Sequence, residues 1–171
     1  MELINLNPKR ILAVILLIIV AIMIIYPPLS KGTVSVRLSE KALGPADHLY
    51  VTVSQIEIHD AGVDNQTGWH TISNNTVTLD LMNSQSMTDF VAKGTLPSGW
   101  YDMVSIRIDS ASLVSGSNKT SLDLPSDQFN ANVSLLIKTL SSSTLTVQLT
   151  FNTAEMMHTG ILNLKLEAIA T

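Results

Sequence analysis

Four imidazoles, His48, His59, His70 and His158, are the first candidates for chemistry in this chain. No two of them fall in an H-x-H, H-x-x-H or H-E-x-x-H spacing that would set two ligands on one face. His59 and Asp60 close one apolar-alternating run and His70 opens another after a turn, so a hairpin could gather His59, Asp60 and His70 as a candidate copper or zinc set. The commoner role of such residues is a solvated or capping side chain at a strand end, and no metal is assigned. Asp60-Ala-Gly-Val-Asp64-Asn65 loosely resembles a calcium turn, but reads better as an Asx-rich hairpin turn.

Other reactive groups give less. Ser is abundant, yet no G-x-S-x-G occurs, and there is no glycine-rich phosphate loop. Asp102 and Asp109 flank the run Val104 to Ile108, and carboxylates at strand ends are ordinarily solvated. Cys is absent, which removes disulfides, thiolate catalysis, Cys-ligated zinc and lipidation at Cys. Trp69 and Trp100 each follow a Gly; they suit turn-to-strand entries capping the core, with a ligand platform as the alternative. Met156 and Met157 beside His158 read as gap-filling core rather than a soft-metal site. The expected reading has no catalytic residue, no cofactor and no enzymatic activity.

The elements that must position these residues fall into two parts. From Ile11 to Tyr26 the only polar atom on a side chain is the Tyr hydroxyl, and no charge occurs between Arg10 and Lys31. Asn7 suits an N-cap and Pro8 a first helical position, so a helix from Pro8 to Tyr26 would be about 28 Å long, near the ~30 Å hydrocarbon core. Lys9 and Arg10 would snorkel at one end, Tyr26 would sit at the other interface, and Pro27-Pro28 would stop the helix. The basic residues precede the run, which places the N-terminus in the cytoplasm and the remainder outside. The expected division is a leader over 1–7, a transmembrane helix over 8–29 with Ile11 opening its apolar stretch, and an extracytoplasmic domain over 30–171. The expected location is the cell membrane, crossed once. A cleaved secretory signal is the alternative, but the run is long for one and offers no Ala-x-Ala site.

Residues 31–171 carry 8 basic and 13 acidic side chains, against +1 for the first 30, so nucleic acid is not an expected partner. Period-two alternation recurs at Val34 to Leu38, Leu49 to Val53, Val77 to Leu81, Val104 to Ile108, Leu122 to Leu124, Val133 to Ile137, Leu145 to Phe151 and Leu162 to Leu166. In the second run the phase slips to Ile56 and Ile58, predicting a bulge at Ser54-Gln55 and a strand continuing to about His59. Short strands without crossover helices predict an all-β, antiparallel β-sandwich (Ig-like or transthyretin-like) of about 7–9 strands. One short helix is predicted, capped by Ser86 with Asp89 three residues on, facing Phe90 and Val91 to the sheet and ending at Gly94. Ser and Thr fill 34 of the 141 residues from position 31, and sequons at Asn65, Asn74, Asn118 and Asn132 make these possible glycosylation sites on an extracellular surface.

The segment Leu96-Pro-Ser-Gly-Trp-Tyr-Asp-Met-Val-Ser-Ile-Arg-Ile108 resembles the Pro-x-Gly-x-Tyr…Ile-Arg-Leu stretch of family 4382 of domains of unknown function. Gly32 to Leu38, Val51 to His59, Gly68-Trp-His-Thr-Ile72, Val77 to Leu81 and Leu122 to Ser126 resemble its other strands and turns in order, so that the resemblance spans roughly residues 32–153. It implies a β-sandwich on an exported archaeal or bacterial protein and carries no reaction. Many members are tethered through a lipidated Cys, a role the apolar helix would take here. A weaker, architectural resemblance links the helix-plus-sandwich layout to type IV pilin-like subunits and archaellum-associated anchor proteins. The expected function is therefore a non-enzymatic, membrane-anchored cell-surface domain whose partners are the lipid bilayer and another protein of the membrane or envelope. The alternatives are an accessory subunit of a larger integral-membrane complex and a pilin-like filament subunit.

Overall fold

The computed structural model describes residues 8–83, 85, 87 and 90–170. A helix, α1 (Pro8–Leu29), precedes ten strands. They are β1 (Lys31–Leu43), β2 (His48–Asp60), β3 (Trp69–Ser73), β4 (Val77–Asp80), β5 (Val91–Pro97), β6 (Gly99–Ser115), β7 (Asn118–Leu122), β8 (Gln128–Ile137), β9 (Ser142–Asn152) and β10 (Leu164–Ala170), with a second helix, α2 (Thr153–Thr159), between the last two. The strands form two sheets, one ordered β10-β9-β1-β5 and the other β3-β2-β6-β7. In the second sheet β3 and β4 share one long edge of β2, pairing at Ile56 to His59 and Tyr50 to Val53. Likewise β8 and β7 share the far edge of β6.

The alternating residues do what their period requires. Val34, Val36 and Leu38 from β1 meet Leu145, Val147 and Leu149 from β9 within one sheet, and face Val51, Ile58, Val104 and Ile106 from the other, all of them buried. The predicted bulge is present, because the β2–β6 register shifts on both sides of Val53, leaving Ser54 unpaired and restoring the apolar phase at Ile56.

Two expectations need correction. The sandwich is not purely antiparallel: β1 and β9 run parallel, from Thr33 opposite Ser142 to Leu43 opposite Asn152. The predicted helix end at Val91 to Gly94 is a strand, since Gly94 pairs with Val34. A Cβ on Gly94 would meet the Ile72 Cα at 3.0 Å, so glycine here serves a close approach between the two sheets rather than a helix cap. The predicted cap residues Ser86 and Asp89 lie outside the described residues. Gln85 and Met87, on either side of Ser86, are helical, so only the C-terminal end of that helix is displaced. A further short helix, not expected from the sequence, is α2, where Asn152 Oδ1 accepts from the backbone N–H groups of Ala154 and Glu155 and Gly160 closes the far end at φ 71°. It buries Met156 completely and leaves Met157 exposed.

The N-terminal helix also departs from expectation, continuing through Pro27 and Pro28 to Leu29. Ile11 begins a run of exposed apolar side chains around it. Among the described residues no helix is long and apolar enough to cross a membrane. The side chains of Arg10 and Tyr26, expected at the two interfaces, lie outside those described. A single residue, Ser30, separates α1 from β1.

Candidate functional site

The β2–β3 hairpin brings together the residues that stood out in the sequence, but in two separate pairs. His59 lies opposite Trp69 and Ile58 opposite His70. His70 Nε2 lies 2.8 Å from Asp60 Oδ2, and its ring meets the buried Tyr101 edge-on. His59 is completely buried, with Nδ1 at 2.8 Å from Asp102 Oδ1 and Nε2 at 3.1 Å from the carbonyl of Asp64. Both neighbours are pure acceptors, so only the doubly protonated ring satisfies them together. The hydrogen bond to Asp102 accordingly raises the His59 pKa above the ordinary imidazole value, against the opposing effect of burial.

Both His59 ring nitrogens thus face acceptors within the chain, the Asp102 carboxylate and the Asp64 carbonyl. Among the described residues no group of three or more His, Cys, Asp or Glu could hold a metal ion. The candidate calcium turn is an Asx turn: Asp64 Oδ1 accepts from the Gln66 backbone N–H, while Asp60 is engaged with His70. Asp102 and Asp109 both lie inside β6 rather than at its ends, about 23 Å apart along an extended strand. Asp102 holds His59 and Asp109 accepts from the Ser54 hydroxyl at 2.6 Å, so they form no working pair.

What His59 does is structural positioning. Its ring lies 4.9 Å from that of Trp69, tilted by 55°, while the indole Nε1 donates to the Asn65 carbonyl at 2.8 Å. The imidazolium thus ties the loop over 61–68, strand β6 and the Trp69 ring to one another. Gly68, at φ 78°, lets the loop close down: a Cβ there would touch Val63 at 3.0 Å and His59 Nε2 at 3.4 Å.

Trp69, held in this way, forms one wall of an open concavity of about 260 Å³ on the outer face of the six-stranded sheet. Glu57, Asn65, Met103, Ser105, Gln128 and Asn130 complete its lining. Strand register explains the convergence, since Thr71, Glu57, Ser105 and Asn130 lie in one row across β3, β2, β6 and β8. Met103 and Asn132 continue the row of His59 and Trp69. Glu57 Oε1 accepts from Gln55 and Thr71. Among the described residues the side-chain amides of Asn65, Gln128 and Asn130 and the hydroxyl of Ser105 have no hydrogen-bond partner within the chain. The site offers amides, a hydroxyl and one carboxylate around an indole and a thioether, a set suited to an uncharged ligand rich in hydrogen-bonding groups.

Of these residues only Trp69 and Asn65 had been singled out in the sequence. Glu57, Ser105, Gln128 and Asn130 occupy the polar phase of their strands, where nothing local separates them from the many other polar strand residues. All four sequon asparagines are exposed: Asn65 and Asn74 in loops, Asn118 at the start of β7, and Asn132 within β8 beside the concavity. Trp100 is not a core cap; 57% of it is exposed.

The sequence pattern of the domain of unknown function DUF4382 matches residues 31–165, from the first strand into the last. The chain belongs to the DUF4382 family. The match begins at β1 and extends further toward the C-terminus than the sequence resemblance, taking in α2. No curated protein is significantly similar to this DUF4382 chain. Among solved structures, a candidate cell adhesion protein from Parabacteroides distasonis aligns at 10% identity and TM-score 0.41, covering 82% of this chain and 52% of that one. A second candidate cell adhesion protein, from Bacteroides eggerthii, aligns at 8% identity and TM-score 0.31, covering 83% and 55%. The DUF4382 chain spans about half the length of each.

Proposed function

We propose that this DUF4382 protein is a non-enzymatic, membrane-anchored surface module that binds another component of the cell envelope through the outer face of its six-stranded sheet. The observation that carries the reading is the concavity beside Trp69, where unpaired amides of Asn65, Gln128 and Asn130 converge on a fixed indole. Trp69 is held before binding by the Asn65 carbonyl and the His59 ring, so its own ordering costs little on association. Its lining favours an uncharged surface bearing hydroxyls and amides over a phosphate or a metal. Anchoring is supported by the charge-free apolar sequence between Arg10 and Lys31 and by the single-residue link from α1 to β1. Lys9 and Arg10 favour a cytoplasmic N-terminus, with the sandwich and its exposed sequons on the outside.

A second reading is favoured by the exposure of apolar residues all around α1, from Ile11 to Ile24. A helix apolar on every side can pack against further spans, which would make the protein an accessory subunit of a larger membrane complex.

Purification of the full chain from native membranes in mild detergent, followed by mass spectrometry of what migrates with it, tests both. The surface-module reading expects a partner that is lost from a Trp69→Ala, Asn130→Ala variant. A partner that survives those changes but leaves when α1 is replaced by an unrelated span supports the subunit reading. A chain that migrates alone sinks both.

A further inference from the structure

Beyond the concavity, three exposed apolar side chains of the sandwich lie at the end where α1 enters. Leu140 is 72% exposed, Trp100 57% and Leu136 37%. Trp100 and Leu136 are cross-strand partners on β6 and β8. The segment following β8 is tied to the first residues of the sandwich, because the Leu140 backbone N–H donates to the Lys31 carbonyl at 2.8 Å and that of Thr33 to the Ser141 carbonyl at 2.8 Å. The turn before Trp100 is tied to the same place, with the Ser98 N–H donating to the Ser30 carbonyl at 2.8 Å. These bonds fix the three side chains around the point where the chain leaves α1, whatever direction the helix takes.

Leu140 carries a second signal. It is the only non-glycine residue with a positive φ among those described, at 55°. A leucine disfavours this backbone region, and glycine would occupy it without strain. A side chain that strains the backbone while standing exposed adds nothing to the fold by itself, which points to a contact outside the chain. Charge agrees. Lys31 and Lys138 are exposed beside the cluster and neither has an ion-pair partner among the described residues, although residues 31–171 are acidic as a whole. The Asp102 carboxylate, two residues from Trp100, is engaged by His59, and that of Asp60, which pairs with Tyr101 across the β2–β6 ladder, is engaged by His70.

We infer that Trp100, Leu136 and Leu140 form a membrane-docking rim, which inserts at the headgroup level of the bilayer that holds α1 while Lys31 and Lys138 meet anionic lipid. The indole suits the interface because its ring is apolar and its N–H keeps a partner there. The two leucines reach the acyl boundary, and the lysines add an attraction that salt screens. Docking at this rim sets the sandwich on the membrane at a fixed tilt and thereby aims the outer sheet face. The inference rests on the anchoring reading above and specifies how the domain sits once anchored.

The test uses the full chain carrying Trp69→Phe, which leaves Trp100 as the sole indole, reconstituted into phosphatidylcholine–phosphatidylglycerol vesicles with brominated acyl chains. Flotation with the vesicles reports anchoring, and bromine quenching of Trp100 fluorescence reports the rim. The expected result is co-flotation with Trp100 quenched at least twofold relative to unbrominated vesicles. Leu140→Gly is expected to lose most of that quenching while its melting temperature stays level or rises, which a purely structural leucine would not allow. Co-flotation with unquenched Trp100 overturns the rim and leaves the anchor standing. Failure to float overturns both.

Discussion

His59 donates from Nδ1 to the carboxylate of Asp102, 43 residues further along the chain, at 2.8 Å, while its Nε2 faces the carbonyl of Asp64 at 3.1 Å. A completely buried imidazole between two acceptors is most stable as the cation, and the consequence is a pH-dependent fold.

The sign follows from the raised pKa. The folded protein holds the His59 proton more tightly than the unfolded chain, whose imidazole titrates near 6.5. Stability from this group is therefore fully present below about pH 6.5 and is lost as pH rises through the folded value. Urea midpoints measured from pH 5.5 to 9 should fall over the upper part of that interval, and Asp102→Asn should flatten the fall. A wild-type midpoint that climbs through the same interval would contradict the assignment.

Trp69 depends on the same cation. Because the ring rests against His59 and its Nε1 bonds the Asn65 carbonyl, its fluorescence should report the state of the loop over 61–68. In a Trp100→Phe background, His59→Gln should shift the emission of Trp69 to longer wavelength as the loop loosens. An unchanged spectrum would mean that the loop is held without the imidazolium.

Tyr101 offers a hydrogen-bond test within the core. Its hydroxyl donates to the Pro97 carbonyl at 2.9 Å across the β5–β6 turn, and burial together with the Asp60 carboxylate pushes its pKa up to about 12. Tyr101→Phe removes the donor and leaves that carbonyl without it, at a cost of roughly 1–2 kcal/mol in denaturant unfolding. The phenol absorbance of the wild type should also titrate well above the usual value near 10.

Two glycines at the α1-proximal end separate steric from conformational effects. A Cβ on Gly32 would sit 2.5 Å from the Lys138 carbonyl oxygen and 2.6 Å from Ile137 Cγ2, whereas one on Gly99 would meet nothing within 4 Å. Gly32→Ala should destabilise by about 1–3 kcal/mol. Gly99→Ala should stay within ~0.5 kcal/mol, which differential scanning calorimetry of the two variants resolves.

The cap of α2 gives a local prediction of the same kind. Asn152→Ala removes the acceptor shared by the Ala154 and Glu155 N–H groups and should lower stability by about 1 kcal/mol, while Asn152→Ser should recover most of it. Loss of cooperativity rather than a small shift would show that α2 does more than close the β9–β10 connection.

The local pattern of the chain determined much of this protein. The alternation at Val34 to Leu38, Leu49 to Val53 and Leu145 to Phe151 is a property of neighbouring residues, and a two-residue period can satisfy a buried face only as strand. The phase slip before Ile56 likewise announced the bulge, because an extra residue is the simplest way to return Ile56 and Ile58 to the core. The same order of strands and turns carried the family resemblance. Other features depended on partners distant in sequence. Nothing near Val34 says that its neighbour will be the parallel strand beginning at Ser142, or that Gly94 will lie against Ile72 between the sheets, so one was read as antiparallel and the other as a helix end. The imidazolium of His59 needed Asp102 and Asp64 placed on either side of it, and the concavity needed Glu57, Ser105 and Asn130 brought into one row by register. Pairing and register are settled when two sheets bury their apolar faces together, and only that tertiary choice decided which polar side chains on the outer face stand side by side.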